Sequence, residues 1–210
     1  MILILLLLSG VIAYFLGGIN GAIITSNLLF HKDIRTFGSG NAGLTNYFRT
    51  FGTAGVIPML GIDVLKSILA VSIGGWLLGM QGIPTLGKLF AGIFLIVGHM
   101  YPFYYQFKGG KGAMCCLIMT LVVDWRIGLC IILVFALVLT LTRYVSLGSM
   151  LGALTCPIMM VILGYRPLEC IFGLICALLI IVKHKDNISR LLSGTERKQE
   201  FKGKFKRMNG

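Results

Sequence analysis

The strongest constraint on the fold is a series of long apolar runs separated by short polar segments. Residues 2–8, 127–141 and 171–182 are almost wholly apolar, and with their flanks they approach or reach the roughly 20 residues that cross a hydrocarbon core as a helix. Hydrophobic residues make up 57% of the chain and charged residues only 12%, more apolar side chain than a soluble domain of 210 residues can bury. The chain is therefore predicted to be an all-α, polytopic integral membrane protein.

About seven transmembrane segments are expected. They cover residues 2–30, 54–80, 86–105, 113–123, 127–142, 145–164 and 167–182. The first has no basic n-region or cleavage site, so it is predicted to be a retained helix. The fourth would extend only about 16 Å as a helix, which is short of the roughly 30 Å hydrocarbon core, so it is expected to be tilted, extended by its preceding loop, or re-entrant. Residues 1–198 are predicted to form one transmembrane domain and 199–210 a basic cytoplasmic tail.

The basic residues fix the expected orientation. If the first loop is inside, 15 lysines and arginines lie inside and three lie outside, and the bias stays at six to three without the C-terminal tail. By the positive-inside rule the first loop is cytoplasmic. The net charge of +12 is then explained by this bias and by anionic lipid, so no nucleic-acid partner is predicted.

Two features of the apolar segments are expected to be structural. Asp63 and Lys66 are three residues apart, so on a helix they share a face and can neutralise each other, although a role in a site stays open. The cysteines lie in or beside apolar segments without a CxxC spacing, which favours packing over disulfides or metal binding. They are Cys115, Cys116, Cys130, Cys156, Cys170 and Cys176.

The first polar segment, residues 37–49, combines glycines, short hydrogen-bonding side chains and an arginine. Glycines allow positive φ and bring backbone N–H groups close to an anion, and the guanidinium fits phosphate. The segment is therefore a candidate phosphate site. Its candidate residues are Gly38, Ser39, Gly40, Asn41, Gly43, Thr45, Asn46 and Arg49.

Two later polar segments have similar chemistry, and all three fall on the predicted cytoplasmic face. The second contains Lys108, Gly109, Gly110, Lys111 and Gly112; the third contains His184, Asn187, Arg190 and Glu196. The second segment lacks the spacing of a Walker A loop, which disfavours nucleotide hydrolysis. The acidic residues form no Asp-rich constellation, so neither a metal nor a cofactor is predicted.

His184 is the group in these segments whose ordinary pKa suits proton transfer near pH 7. An alternative is that it is only a hydrogen-bonded residue at a helix end. His31 and His99 are both taken as structural, and His99, in a Gly-His-x-x-Pro setting, is the better second choice of the two. Glu196 is expected to order a basic loop by pairing with Arg190 or Arg49.

The three segments together resemble the motifs of a known family. These are Ser39-Gly40-Asn41-Ala42-Gly43-Leu44-Thr45-Asn46 with Arg49, Phe107-Lys108-Gly109-Gly110-Lys111-Gly112, and His184-Lys185-Asp186-Asn187-Ile188-Ser189-Arg190-Leu191 with Gly194-Thr195-Glu196. In order and spacing they resemble the bacterial acyl-phosphate:glycerol-3-phosphate acyltransferases, the PlsY family, over nearly the whole chain. Two departures are Ala113-Met114-Cys115, where the family usually has Val-Ala-Thr, and Lys185 in place of an arginine.

The resemblance implies a bacterial plasma-membrane enzyme that moves a fatty acyl group from acyl phosphate to the 1-hydroxyl of glycerol 3-phosphate. The products would be lysophosphatidic acid and phosphate, in the first acylation of phospholipid synthesis. It also implies that the substrate's own phosphate helps to deprotonate the hydroxyl, without an acyl-enzyme. The residues carried over as catalytic are Ser39, Arg49, Lys111, His184 and Asn187.

A small transporter or flippase for an organic phosphate is the alternative function, because a basic vestibule in a helical bundle would serve it too. The polar segments lie on one predicted face only, and no inverted repeat is evident, which disfavours transport. Acyl-chain preference, oligomeric state, the proton route and the choice between Lys108 and Lys111 as main phosphate ligand stay open.

Overall fold

The computed structural model describes residues 1–200 and, within that range, contains helices and connecting loops without strands. The all-α prediction is confirmed. Two 3-10 turns, Ile34–Thr36 and Phe103–Tyr105, accompany ten α-helices. The helices are α1 (Ile2–Gly18), α2 (Gly21–Phe30), α3 (Leu44–Phe51), α4 (Val56–Gly79), α5 (Pro84–Met100), α6 (Ala113–Val123), α7 (Trp125–Thr142), α8 (Val145–Ile162), α9 (Pro167–Lys183) and α10 (Lys185–Leu192). Most of the predicted basic tail, residues 201–210, lies outside the described residues.

Each predicted transmembrane segment coincides with helix. Within residues 1–200, five stretches are long and apolar enough to cross a membrane: Ile2–Phe30, Val56–Gly79, Pro84–Tyr105, Trp125–Thr142 and Val145–Ile162. The bent pair α9 and α10 is a possible sixth, and α6 has the eleven residues that the sequence suggests. The chain is thus a polytopic helical bundle with one span too short to cross at right angles to the membrane.

Helix α5 lies at the centre of the bundle and packs against α1, α4, α6 and α9. Its contact with α1 depends on glycine: a Cβ at Gly98 would lie 2.1 Å from the carbonyl oxygen of Tyr14, and one at Gly17 would lie 2.3 Å from that of Leu95. The two backbones touch because neither glycine carries a side chain, and small residues commonly allow such close contact between membrane helices. This close packing fixes the end of α5, which carries His99.

The break between α1 and α2 is joined to α4 by buried polar groups. The side chain of Asn20 caps α2 by accepting a hydrogen bond from the backbone N–H of Ile23 at 3.0 Å. Asp63 Oδ1 accepts from the N–H of Gly21 at 3.1 Å and lies 2.7 Å from Lys66 Nζ. The predicted pairing of Asp63 with Lys66 is confirmed, and both side chains are almost fully buried.

The apolar surface is divided between the core and the outer face of the bundle. Cys115, Cys116, Cys156 and Cys176 lie in the main apolar core, as predicted for packing residues. Large aliphatic side chains on the outside remain exposed, among them Leu7, Leu137 and Val182. Such a continuous apolar exterior is stable only against lipid.

Candidate active site

The three polar segments meet at one cavity of about 850 Å³. Fifteen of the seventeen candidate residues line it, so the prediction that the segments act together is supported by their positions. They are Gly38, Ser39, Gly40, Asn41, Gly43, Thr45, Asn46, Arg49, Gly109, Lys111, Gly112, His184, Asn187, Arg190 and Glu196. Lys108 and Gly110 are not among the lining residues.

The first polar segment forms a tight loop that leads into α3. Gly38 and Gly40 have φ values of +59° and +70°, which other residues rarely adopt. A Cβ at Gly38 would also lie 2.2 Å from the side-chain oxygen of Asn46. Gly43, grouped with them in the sequence, differs because its φ of −154° is extended and it is the N-cap of α3. Two of the three glycines are therefore needed for backbone conformation.

Asn46 holds this loop from within. Its Oδ1 accepts a hydrogen bond from the N–H of Ser39 at 3.0 Å, and its Nδ2 donates to the carbonyl oxygens of Ile34 and Phe37 at 3.2 and 2.9 Å. The side chain is buried, and these bonds use both its donor and its acceptor atoms. The geometry therefore gives Asn46 a loop-forming role and leaves the anion to the neighbouring groups.

Arg49 lies in the last turn of α3 at the mouth of the cavity. Its Nη2 is 3.5 Å from the carbonyl oxygen of Arg197 and 3.4 Å from Oε1 of Gln199. Both contacts are long, and both acceptors are neutral. The guanidinium thus has no carboxylate partner within the described residues and is available to an anion.

The second polar segment places one of its two lysines in the cavity. Gly112 adopts a φ of +79°, and the chain then enters α6. Lys111 Nζ donates to Asn187 Oδ1, which joins the second segment to the third. Burial lowers the pKa of Lys111 to about 8, although the charge of Glu196 acts in the opposite direction. Lys108 is exposed and outside the cavity, so the geometry favours Lys111 as the phosphate ligand.

The third polar segment begins at a bend of 61° between α9 and α10. His184 occupies this bend as the residue that ends one helix and begins the next. The ring is buried, and Nδ1 lies 2.8 Å from the carbonyl oxygen of Ile180. A carbonyl only accepts hydrogen bonds, so Nδ1 carries a hydrogen and the neutral ring presents Nε2 as an acceptor.

Glu196 is the centre of a hydrogen-bonded cluster that joins three elements. Its carboxylate accepts from Ser146 Oγ at 2.6 Å, Asn187 Nδ2 at 2.7 Å and Arg190 Nε at 2.7 Å. Burial alone would raise its pKa, but these donors hold the pKa below its ordinary value. The expected pairing with Arg190 is confirmed. The carboxylate orients Asn187 and Arg190 towards the cavity and stays ionised while doing so.

Several lining residues were not predicted. Ser146 belongs to the first turn of α8, directly after the turn that contains Arg143. The sequence feature that could have identified Ser146 is its position at the predicted cytoplasmic end of a span, next to the polar segments. Lys183 and Arg197 flank candidate residues in sequence. Asp63, for which the sequence left a role in a site open, and His99, the second choice after His184, reach the cavity from α4 and α5.

The cavity also has an apolar part between α6, α7 and α8. It is lined by Leu117, Ile131, Ile132, Phe135 and Ala153. One continuous cavity thus has two parts. The three polar segments form a cationic, glycine-rich mouth, and the apolar residues of α6, α7 and α8 form a hydrocarbon-like wall. Within residues 1–200 no group of three or more His, Cys, Asp or Glu side chains is arranged to hold a metal ion.

Comparison with known proteins shows which family has this arrangement. The profile of the family described as glycerol-3-phosphate acyltransferase matches residues 7–194. The chain belongs to the glycerol-3-phosphate acyltransferase family. The match spans the first two polar segments and the third as far as Gly194, so the resemblance that they carry is confirmed over most of the chain.

Relatives and solved structures agree with this family. The glycerol-3-phosphate acyltransferase of Thermoanaerobacter sp. (strain X514) is 40% identical over 199 residues, covering 95% of this chain and 98% of the relative. That of Clostridioides difficile (strain 630) is 43% identical over 194 residues, covering 90% and 92%. The crystal structure of PlsY, an integral membrane glycerol 3-phosphate acyltransferase, in its glycerol 3-phosphate form has a TM-score of 0.82 at 30% identity, covering 93% and 96%. Its lysophosphatidic acid form has a TM-score of 0.79 at 28% identity.

This acyltransferase is therefore an integral membrane enzyme of the PlsY family, and its relatives are bacterial.

Proposed function

We propose that the acyltransferase moves a fatty acyl group from acyl phosphate to the 1-hydroxyl of glycerol 3-phosphate, giving lysophosphatidic acid and inorganic phosphate. This would be the first acylation of phospholipid synthesis. The observation that carries the proposal is the single cavity with a cationic mouth and an apolar wall. Both substrates carry phosphate, and one of them carries a hydrocarbon chain that needs such a wall.

The cations of the mouth suit two phosphates. Arg49 offers a planar fork without a carboxylate partner in the described chain, and Lys111 offers a partly buried ammonium. Arg190 is held by Glu196 and adds a third cation. Backbone N–H groups of the glycine loop and the Ser39 hydroxyl supply directional donors. Binding in this mouth positions the hydroxyl close to an acyl carbon that is already activated by its phosphate.

The reaction needs no covalent enzyme intermediate. The 1-hydroxyl oxygen forms a bond to the acyl carbonyl carbon, the bond between that carbon and the phosphate oxygen breaks, and phosphate leaves. The proton of the 1-hydroxyl passes to a phosphate oxygen of the substrate, while Nε2 of His184 accepts a hydrogen bond from the 2-hydroxyl and so orients the substrate. Cations in the mouth stabilise the departing phosphate. Asn187 positions Lys111 through the hydrogen bond between them.

The active site is proposed to open on the cytoplasmic side of the bacterial plasma membrane. The three polar segments lie at the end of the bundle that the positive-inside rule assigns to the cytoplasm. Glycerol 3-phosphate is a water-soluble anion and would enter there, whereas the acyl chain would enter from the lipid side between helices. Residues 1–198 are proposed to form a single transmembrane acyltransferase domain.

The test is release of inorganic phosphate by the purified protein in detergent, given palmitoyl phosphate and glycerol 3-phosphate. Acyl-CoA and acyl-carrier-protein donors are assayed in parallel. Release that requires both substrates, with lysophosphatidic acid as product, is the expected result. Turnover with a thioester donor in place of acyl phosphate would overturn the donor assignment. A folded preparation without turnover, followed by organic phosphate uptake into proteoliposomes, would favour a transporter.

A further inference from the structure

A second histidine faces the cavity from the membrane side of the site. His99 lies in the last turn of α5, is 4% exposed and lines the cavity. Its Nδ1 is 2.9 Å from Nζ of Lys66. Nothing in the reaction described above uses this ring.

The neighbours of the ring determine which of its nitrogens carries hydrogen. Lys66 is held in place by Asp63 Oδ1 at 2.7 Å and by the carbonyl oxygen of Ile19 at 2.5 Å. An ammonium group donates hydrogen bonds and accepts none, so Nδ1 of His99 must accept. The neutral ring therefore carries its hydrogen on Nε2.

Nε2 is the ring nitrogen that remains for a ligand in the cavity, which His99 lines. It has no hydrogen-bond partner among residues 1–200. Unlike Ser9 Oγ and Tyr47 Oη, which are buried without a partner, it keeps some accessible surface. Gly110 keeps it accessible, because a Cβ at that position would lie 2.3 Å from Nε2. A nearly buried N–H group without a partner costs free energy unless something binds it. The vacant donor therefore points to a ligand atom that accepts a hydrogen bond.

The two histidines of the cavity are opposite tautomers. His184 uses Nδ1–H to bond the carbonyl oxygen of Ile180, so its Nε2 is an acceptor. His99 accepts from Lys66 at Nδ1, so its Nε2–H is a donor. The proposed acyl transfer uses one group of each kind: an acceptor that orients a hydroxyl of the substrate and a donor for the carbonyl oxygen.

We infer that His99 is a further catalytic residue, whose Nε2–H donates a hydrogen bond to the acyl carbonyl oxygen as negative charge develops on it. The carboxylate of Asp63 lines the cavity beside this ring, so a carbonyl oxygen is better placed here than a phosphate dianion. Lys66 and Asp63 are positioning residues for the ring. The inference rests on acyl transfer, but it does not depend on the donor, because every acyl donor has this oxygen.

The test compares His99→Ala with His99→Gln, using a donor that the wild-type enzyme has been shown to use. Loss of the donor in His99→Ala is expected to lower kcat by about 10²- to 10³-fold, with little change in KM for glycerol 3-phosphate. The amide of glutamine can place an N–H group near the position of Nε2, so His99→Gln is expected to recover at least about tenfold of that loss. An unchanged kcat, or equal losses in both variants, would contradict the inference.

Two controls separate this inference from other failures. Glycerol 3-phosphate binding and thermal unfolding are measured for each variant, since a merely structural histidine would alter them together with kcat. An inactive wild-type enzyme would count against the proposed function and not against His99.

If both variants fail to fold, nitrogen-15 NMR of histidine-labelled wild-type protein shows which ring nitrogen of His99 carries the hydrogen. The His99 ring is expected to carry its single hydrogen on Nε2 at the pH of the activity assay. A ring with its hydrogen on Nδ1, or one that is doubly protonated at that pH, would overturn the assignment.

Discussion

At one end of the bundle Glu196 lies among the three polar segments, and at the other end Asp124 lies between α6 and α7. Both are ionised carboxylates with an arginine partner. Glu196 accepts hydrogen bonds from Ser146, Asn187 and Arg190. Asp124 accepts them from Arg126 and Tyr165, and these hold its pKa at about 2 even though desolvation opposes them. An ion pair by itself therefore does not distinguish the catalytic end from the structural end.

The difference lies in what the remaining cations contact. At the Asp124 end, Arg126 forms an ion pair with the carboxylate. Lys88 donates a hydrogen bond to the carbonyl oxygen of Val122, in the last turn of α6, at 2.9 Å. At the Glu196 end, the contacts of Arg49 within residues 1–200 are long and go to neutral acceptors. The catalytic end thus has cationic groups that remain available to a ligand, and the structural end uses its cations to close helix ends. Three of the four predictions below pair a variant at one end with a matched variant at the other, and the fourth concerns the pH dependence of the Glu196 end alone.

The largest effect is expected for Lys111→Met. Removing this ammonium takes one cation from the phosphates and leaves Asn187 without its partner, so kcat/KM should fall by about 10²- to 10³-fold. The measurement is steady-state kinetics with both substrates varied. Lys88→Met is the matched control and should keep wild-type kinetics, since Lys88 only caps α6. Equal losses in the two variants would show that the distinction between the ends is wrong.

The next effect is a pH dependence that belongs to the catalytic end alone. The pKa of Lys111 is lowered to about 8, so the cation is lost as pH rises through that value. Above it, kcat/KM should fall by about tenfold per pH unit. Lys111→Arg keeps the positive charge at these pH values, so the fall of kcat/KM above about pH 8 should disappear in this variant. A fall that persists unchanged in the variant would assign the titration to another group.

A smaller effect is expected for Arg49→Lys. The charge is kept but the two-pronged contact is lost, so KM for a phosphate-bearing substrate should rise by roughly tenfold while kcat changes less. Arg126→Lys makes the same exchange at the other end and should leave both constants unchanged. Wild-type kinetics in Arg49→Lys would remove Arg49 from the site.

Much of this architecture could be predicted because membrane insertion makes hydropathy informative. The 113–123 segment coincides with α6, and the remaining spans differ from their helices by a few residues. Helices α3 and α10 were not predicted, because their polar residues mark a site more clearly than a helical period. Each is only eight residues long. Short amphipathic helices of this kind depend on tertiary contacts.

The site residues could be nominated from composition, but their roles could not. Asn46 and Ser39 are both small polar residues of the first polar segment. Only the folded chain shows that the side chain of Asn46 is fully hydrogen-bonded to the backbone and therefore not available to a ligand. Ser146 lies 50 residues from Glu196, and no local pattern joins them. The inference about His99 depends on its contact with Lys66, which lies 33 residues away in the sequence. Tautomers and hydrogen-bond partners depend on such long-range contacts.

The smallest effect on catalysis is expected from the two carboxylates themselves. Glu196→Gln keeps the shape of the side chain but replaces charged hydrogen bonds with neutral ones, so Asn187 and Arg190 should be held less firmly and kcat/KM should fall a few-fold. Asp124→Asn weakens the contacts to Arg126 and Tyr165, far from the cavity, and should lower the thermal unfolding midpoint without changing kcat/KM. Kinetics and unfolding measured on both variants test this difference. Reduced turnover in a folded Asp124→Asn enzyme would show that the two ends are coupled, because a residue that only closes a helix junction cannot alter the chemistry at the other end.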